Sequence, residues 1–198
     1  MPVMPTPERA ICRSTVWGVF ARQAVLPWAL GKQKPQGQVL EIGSGAGAMA
    51  AQLLKAYPDI ALTALDPDPK MVKASRRRLT AYGDRACTVI GDATHLPFAA
   101  RTFDVVVSFL MLHHVGAWES ALAEAVRVLR PGGVLAGYDL LDTAAARVLH
   151  RAEHADVRLA SEDDLRRALI ELDFAEATVR RRFGGLAVTF AAQRAPSE

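Results

Sequence analysis

Residues Val39 to Gly47, VLEIGSGAG, set one carboxylate inside an apolar run and three closely spaced glycines directly after it. Val39, Leu40 and Ile42 suit a buried parallel strand, and Gly43, Gly45 and Gly47 permit a tight turn that lets a ligand approach the main chain. Glu41 is the anomaly. A carboxylate near the end of a core strand is costly to bury unless something pairs with it, so its type and place point to a cationic ligand group. Asp66 ends the next apolar run, where a short ionised carboxylate can accept two hydrogen bonds from the hydroxyls of a ribose. Asp92 closes a third run. Such a set suits a ligand carrying an adenosine. Gly43, Gly45 and Ala48 also fit the GxGxxG/A dinucleotide fingerprint, with Asp66 near the spacing of its ribose-binding acid, so the glycines alone leave both ligands open.

These side chains need a sheet to bring them together. Strand one leads into a helix near Gly47 to Tyr57, and strand two, from Ile60, ends at Asp66. A helix follows near Pro69 to Tyr82, then strand three through Ile90 and strand four near Phe103 to Phe109. This alternation implies right-handed βαβ units and a parallel sheet. In an open doubly wound sheet a ligand lies outside the carboxyl ends of the strands at the switch in strand order, where Glu41, Asp66 and Asp92 would converge. Thr6 to Leu30 reads as one or two helices, and Gly31 to Gln38 as a linker by its glycine, proline and polar content. Residues 1–36 are thus expected to be a helical lid and linker, and 37–198 the main body of a single structural domain.

Five segments resemble the class I S-adenosylmethionine-dependent methyltransferases, most closely their type 11, ubiquinone-biosynthesis-like small-molecule branch. They are VLEIGSGAG at Val39 to Gly47, LDPDPKMVKAS at Leu65 to Ser75, GDATHLPF at Gly91 to Phe98, FDVVVSFLMLHHV at Phe103 to Val115, and RVLRPGGVL at Arg127 to Leu135. They run in the family's order over about half of the chain, and the series is far more specific than any member of it. The resemblance implies a Rossmann-like three-layer α/β sandwich with a mostly parallel seven-stranded sheet in the order 3-2-1-4-5-7-6.

The C-terminal third agrees with that end of the sheet. A helix carrying Glu124, Val128 and Leu129 is expected to stop at Pro131, Gly132 and Gly133, with VLAGYDLL as strand five. Ser161 with Asp164 three residues on forms a variant capping box for a helix that spaces Leu165, Leu169 and Leu172 helically. EATVRRRF and LAVTFAAQ, joined by Gly184 and Gly185, then read as an antiparallel hairpin. A nicotinamide oxidoreductase would more naturally continue with parallel crossovers or a separate catalytic domain.

The resemblance implies roles for single residues. Glu41 would offset the ammonium or sulfonium charge of S-adenosylmethionine, while the Gly43, Ser44, Gly45 and Gly47 turn approaches its methionine and ribose portions. Asp66 would hold the ribose, Pro67 and Met71 would border the adenine, and Asp92 with the Ala93 N–H would select the base. Ser108 and Phe109 would line the methionine side. The reaction left to the protein is in-line methyl transfer to a small-molecule acceptor, yielding S-adenosylhomocysteine, and alignment alone can supply effective molarities of about 10⁵ to 10⁸ M. His113, with His114 beside it, follows strand four at the crevice mouth, and histidine is the residue type most used as a base or an orienting group. Tyr138 and Asp139 are comparable candidates at the end of strand five. A cofactor-binding or partner-activating relative without turnover would carry the same motifs.

Composition narrows the setting. A chain of 198 residues suits one α/β domain, and Cys12 and Cys87 without an apolar signal segment suit a reducing, cytoplasmic interior. No apolar run approaches the ~20 residues needed to cross a bilayer, so no transmembrane segment is expected. The formal charge of +3 is spread over the chain. Arg76 to Arg78 and Arg180 to Arg182 have no aromatic stacking platform beside them, so nucleic acid is not favoured. His95, His150 and His154 lack ligand spacing and no metal is expected. Two distant cysteines also disfavour arsenite as acceptor. Acceptor choice falls to Thr6 to Leu30, the region after His114, and Thr143 to Ala160, with Trp17, Phe20, Trp28 and Trp118 able to form an apolar lid. Monomer and homodimer are both compatible with the sequence.

Overall fold

The computed structural model describes residues 25–31, 34–144, 146–147, 158–172 and 174–196. Its centre is β1 (Gly37–Ile42), whose last four residues are buried because strands pair on both of its edges and cover lies on both of its faces. The sheet has seven strands in the order β3-β2-β1-β4-β5-β7-β6. Here β2 is Ile60–Asp66, β3 is Ala86–Ile90, β4 is Phe103–Phe109, β5 is Leu129–Leu140, β6 is Phe174–Arg182 and β7 is Ala187–Arg194. Pairings among β1 to β5 are parallel, and those of β5 with β7 and of β6 with β7 are antiparallel. The expected order therefore holds, and the switch falls between β1 and β4.

Two apolar clusters cover the two faces. One gathers Leu40, Ile42, Val106 and Leu135 with helices α4 (Trp118–Val128) and α5 (Glu162–Glu171). The other gathers Val39, Ala64, Val107 and Tyr138 with α1 (Leu26–Leu30) and α2 (Ala48–Ala56), plus Leu79 of α3 (Pro69–Leu79). Alternation along each strand divides the side chains between these layers. The helices begin where local chemistry allows it. Asp68 accepts the Lys70 N–H at 2.7 Å, Pro69 occupies the first turn of α3, and Ser161 accepts the Asp164 N–H at 3.0 Å, as its capping box predicts.

Three expected boundaries move. Gly37 and Gln38 belong to β1 rather than to the preceding linker. The helix expected to reach Pro131 ends at Val128, because Leu129 already pairs with Phe103. Pro131 to Gly133 then sit within an irregular β5 whose register shifts before Val134 meets Val105. A proline that cannot donate to the ladder and two glycines suit such a bulge. The helix expected to reach Tyr82 stops at Leu79, and a 3-10 turn over Thr80–Arg85, kinked at Gly83, carries the chain into β3. Of the helices expected in Thr6 to Leu30, α1 is described and packs Leu26, Ala29 and Leu30 into the core; the remainder, with Trp17 and Phe20, lies outside the described residues.

Candidate functional site

The glycine turn after β1 is tied to the end of β2 by two main-chain groups. Ser44 N donates to Leu65 O at 2.9 Å and Gly45 N to Asp66 Oδ2 at 2.8 Å, while Asp68 N, just past β2, donates to Asp66 Oδ1 at 2.9 Å. Each Asp66 oxygen thus accepts one N–H and keeps acceptor capacity for a ligand hydroxyl. Glycine is required where the turn is tightest. Gly43 has φ +68°, and a Cβ there would lie 2.0 Å from Met111 Cγ. Gly47 has φ +74°, and its Cβ would meet Ser75 Oγ at 2.4 Å. Over Gly45, at φ +52°, a Cβ would meet nothing within 4 Å. The loop is packed from below and open at its middle.

Glu41 is buried within this frame, 2% exposed, and its Oε2 has no hydrogen-bond partner among the described residues. Burial, followed by the charge of Asp66, pushes its carboxyl up to about 8, with only the Ala50 main chain acting the other way. Asp66 is raised as well, first by burial and then by Asp68, against the N–H groups of Asp68 and Gly45. Ser44 Oγ and Ser108 Oγ are also buried without partners. In the β1 and β4 register Ser108 stands opposite Ile42, directly before the glycine turn. Orphaned buried acceptors and hydroxyls at one strand switch are expensive in an empty apolar core and reasonable beside a polar, cationic ligand.

Asp92 and Ala93 lie at the end of β3, beside β2, where Asp66 pairs with Ile90. Ala93 is buried, whereas Asp92 is exposed and accepts Thr94 N at 2.8 Å and Thr94 Oγ1 at 2.9 Å, which fixes the turn. That turn is clamped from α4. Glu124 Oε2 accepts Leu96 N at 2.7 Å, while Arg127 donates to Phe98 O at 2.8 Å, Leu96 O at 3.0 Å and both Glu124 oxygens. The Arg127 guanidinium holds the Glu124 carboxyl below the usual carboxylate range. Pro67 and Met71 are half-buried on either side of the α3 start, and Phe109 is buried at the end of β4.

The structure therefore brings Glu41, Gly43, Ser44, Gly45, Gly47, Asp66, Ser108 and Phe109 to the central switch, with Pro67, Met71, Asp92 and Ala93 flanking it on the β2 and β3 side. His113 lies on the other flank. Its Nδ1 bonds Asp139 Oδ1, and Asp139 also accepts Met111 N at 3.2 Å and Leu140 N at 2.7 Å. This buried pair joins the turn after β4 to the end of β5. Trp118 is placed differently from its expected lid role. It is 3% exposed in the core under α4, because the α4 face that carries Ala121, Leu122 and Ala125 turns it inward. Met111, Ser75 and the Glu124 and Arg127 clamp escaped the sequence reading. Only the i, i+3 spacing of Glu124 and Arg127 signals anything, and it says that the two can pair, not what they hold.

Among the described residues no helix is long and apolar enough to cross a membrane. Comparison with known proteins finds the methyltransferase domain family over residues 40–137. The chain is 35% identical over 116 residues to the ubiquinone/menaquinone biosynthesis C-methyltransferase UbiE of Cereibacter sphaeroides, covering 58% of this chain and 46% of that protein. It is 40% identical over 103 residues to the phthiotriol/phenolphthiotriol dimycocerosates methyltransferase of Mycobacterium leprae, covering 52% of this chain and 37% of that protein. The chain thus spans less than half the length of these curated relatives. The fold superposes on phosphoethanolamine N-methyltransferase 2 of Haemonchus contortus in complex with S-adenosylhomocysteine, with a TM-score of 0.75 and 17% identity over 89% of this chain and 52% of that one. Motif series, strand order and matched family agree, and the chain belongs to the class I S-adenosylmethionine-dependent methyltransferases.

Proposed function

We propose that this protein transfers the methyl group of S-adenosylmethionine in line to a small-molecule acceptor. The observation that carries this reading is Glu41, a buried carboxylate with an unpartnered oxygen beside a glycine turn that leaves room over Gly45. The residues present fit the cofactor. Glu41 would face its cationic groups, Ser44 and Ser108 would give their orphaned hydroxyls to its methionine end, and Asp66 would accept from the ribose diol. Asp92, Ala93, Pro67 and Met71 would surround the adenine, and Phe109, buried at the end of β4, would line the methionine side. When bound, the cofactor supplies a methyl group on a sulfonium; transfer breaks the sulfur–methyl bond with its electron pair left on sulfur, and forms the bond to the acceptor.

The protein's contribution is alignment and charge. The main-chain N–H groups of Gly45 and Asp68 donate to the Asp66 carboxylate and hold the turn and the ribose acid together, which is the pre-organisation that in-line attack needs. His113 acts here as a positioning residue. Its bond to Asp139 holds the ends of β4 and β5 in register, so that Ser108 and Phe109 stay in place. The names of the curated relatives support a small or lipophilic organic acceptor. Thermal shift tests the reading directly. S-adenosylhomocysteine should raise the melting temperature and compete with labelled S-adenosylmethionine, whereas stabilisation by NAD or NADP and none by S-adenosylhomocysteine would overturn it.

A further inference from the structure

We propose that Glu124 and Arg127 are positioning residues that set the base specificity of the cofactor site, holding the β3–β4 turn so that it accepts adenine and rejects a purine with a 6-oxo group. This rests on the methyl-transfer reading above and adds what makes its base recognition selective. The turn from Gly91 to Phe98 has its recognition groups at one end and its anchor at the other. Gly91 N donates to Asp66 O at 3.1 Å and His95 N to Asp92 O at 3.1 Å. Asp92 Oδ1 takes both donors of Thr94, which leaves Oδ2 to face a ligand. Asp92 is exposed, so packing around its side chain does not fix it and the main chain beneath must.

That main chain is held from α4. Four residues past Asp92, Leu96 is 5% exposed, and both of its main-chain groups end on side chains of one helix turn. Leu96 N donates to Glu124 Oε2 at 2.7 Å, and Leu96 O accepts from Arg127 Nη2 at 3.0 Å. The two side chains do for Leu96 what a neighbouring strand does in a sheet. Arg127 Nη1 also donates to Phe98 O at 2.8 Å, and Phe98 packs edge-on against Phe103 at the start of β4, with ring centroids 5.0 Å apart. The pair is itself preset, because Arg127 Nε and Nη2 reach the two Glu124 oxygens at 2.6 and 2.8 Å, and a two-pronged contact fixes angle as well as distance. With the Arg127 side chain 37% exposed, such a pair adds little stability of its own. What it adds is three bonds to a segment 28 to 31 residues away in the chain.

Those bonds matter because the base is read by polarity. Adenine offers a 6-amino donor beside an N1 acceptor, and hypoxanthine reverses both, with a 6-oxo acceptor beside an N1–H donor. Asp92 accepts and the Ala93 N–H donates, so the reversed base sets acceptor against acceptor and donor against donor. The mismatch is penalised only while the turn stays in place. A shift of about 1 Å would let water stand between the groups and satisfy either base.

Calorimetric titration of the full chain with S-adenosylhomocysteine and with S-inosylhomocysteine tests this. The wild type should prefer the adenosyl compound by about a hundredfold, the effect of two mispaired hydrogen bonds. Arg127→Met and Glu124→Leu should cut that preference to about tenfold, by weakening adenosyl binding while inosyl binding stays nearly unchanged. Glu124→Gln still offers Leu96 N an acceptor and should keep most of the preference. Arg127→Lys is the milder change on the other side; its single ammonium cannot serve both carbonyls and the carboxylate, so it should fall between. Leu169→Ala, which opens a cavity in the core under α5, lowers stability and should leave the ratio at the wild-type value. A wild-type ratio in Arg127→Lys together with Arg127→Met or Glu124→Leu, an equal fall in Leu169→Ala, or a wild type that binds the two compounds alike would overturn the positioning role alone. Failure of the wild type to bind S-adenosylhomocysteine would overturn the methyl-transfer reading and this proposal with it.

Discussion

Replacing Glu41 with glutamine separates stability from ligand recognition, because the two effects have opposite signs. The carboxyl titrates at about 8 in the folded chain against 4.5 ordinarily. The folded state therefore holds this proton more tightly than the unfolded state, and stability falls as pH rises between those values. Below pH 4.5 both states are protonated and the side chain makes no difference. At about 1.4 kcal/mol per pH unit, its burden is about 1 kcal/mol at pH 5, about 3 at pH 7 and about 5 at pH 9, where it has levelled off. Glu41→Gln keeps the shape and removes the charge. In the ligand-free protein it should raise the melting temperature at pH 7 by about 6 to 12 °C, with little gain at pH 5. Cofactor affinity should fall in the same variant, since a neutral amide cannot answer an ammonium or sulfonium. Calorimetry in two buffers of different ionisation enthalpy should show that wild-type binding at pH 7 releases close to one proton, and that Glu41→Gln releases none. Equal melting temperatures for the two proteins from pH 5 to pH 9, or equal proton release, would refute the reasoning.

Other perturbations address the frame around that carboxylate. Asp66→Ala removes the ribose acid together with the anchor of Gly45 and Asp68; S-adenosylhomocysteine affinity should drop by about a hundredfold or more by calorimetry, about what two charge-assisted hydrogen bonds supply. Gly43→Ala should cost about 2 kcal/mol from its positive φ and its collision with Met111, and Met111→Ala in the same chain should restore part of that loss in denaturant titrations. Arg127→Met should loosen the Leu96 to Phe98 segment, lowering stability by about 1 to 2 kcal/mol and accelerating its amide exchange. His113→Ala should lower stability by about 2 to 4 kcal/mol in chemical unfolding, because Asp139 stays buried with one partner fewer.

Much of the cofactor half was legible in the chain because its residue types conflict with their local setting. A glutamate inside VLEI, three glycines in five residues and an aspartate at the end of LTALD each break the pattern of the element that holds them, and each was placed at the strand switch that the βαβ order demands. The seven-stranded order came from the family resemblance of the motif series, whereas the Gly-Gly hairpin by itself told only that the last two strands pair antiparallel. What stayed hidden is cooperation across distance. The bond from Gly45 N to Asp66 spans 21 residues and the bond from Leu96 N to Glu124 spans 28, and nothing in either segment says which partner it meets.

The aromatic contacts at the carboxyl edge of the sheet were least legible, and the reason is physical. No periodicity links the rings that meet there: Trp28 on a five-residue helix, Tyr138 inside a twelve-residue strand, and Phe183 at a hairpin tip. Phe183 reads in sequence as the last residue of a strand, whereas Trp118 was expected, with Trp28, to join a lid. One local signal separates them. Phe183 directly precedes Gly184 and Gly185, so it falls on the turn rather than in the ladder, where its ring is freed from the core, whereas Trp118 begins an amphipathic helix whose apolar face must be buried. An aromatic residue at the tip of the last hairpin therefore stays exposed where one at helical spacing is buried, because the antiparallel return of β7 delivers that tip, and not the helix face, to the carboxyl edge of the sheet.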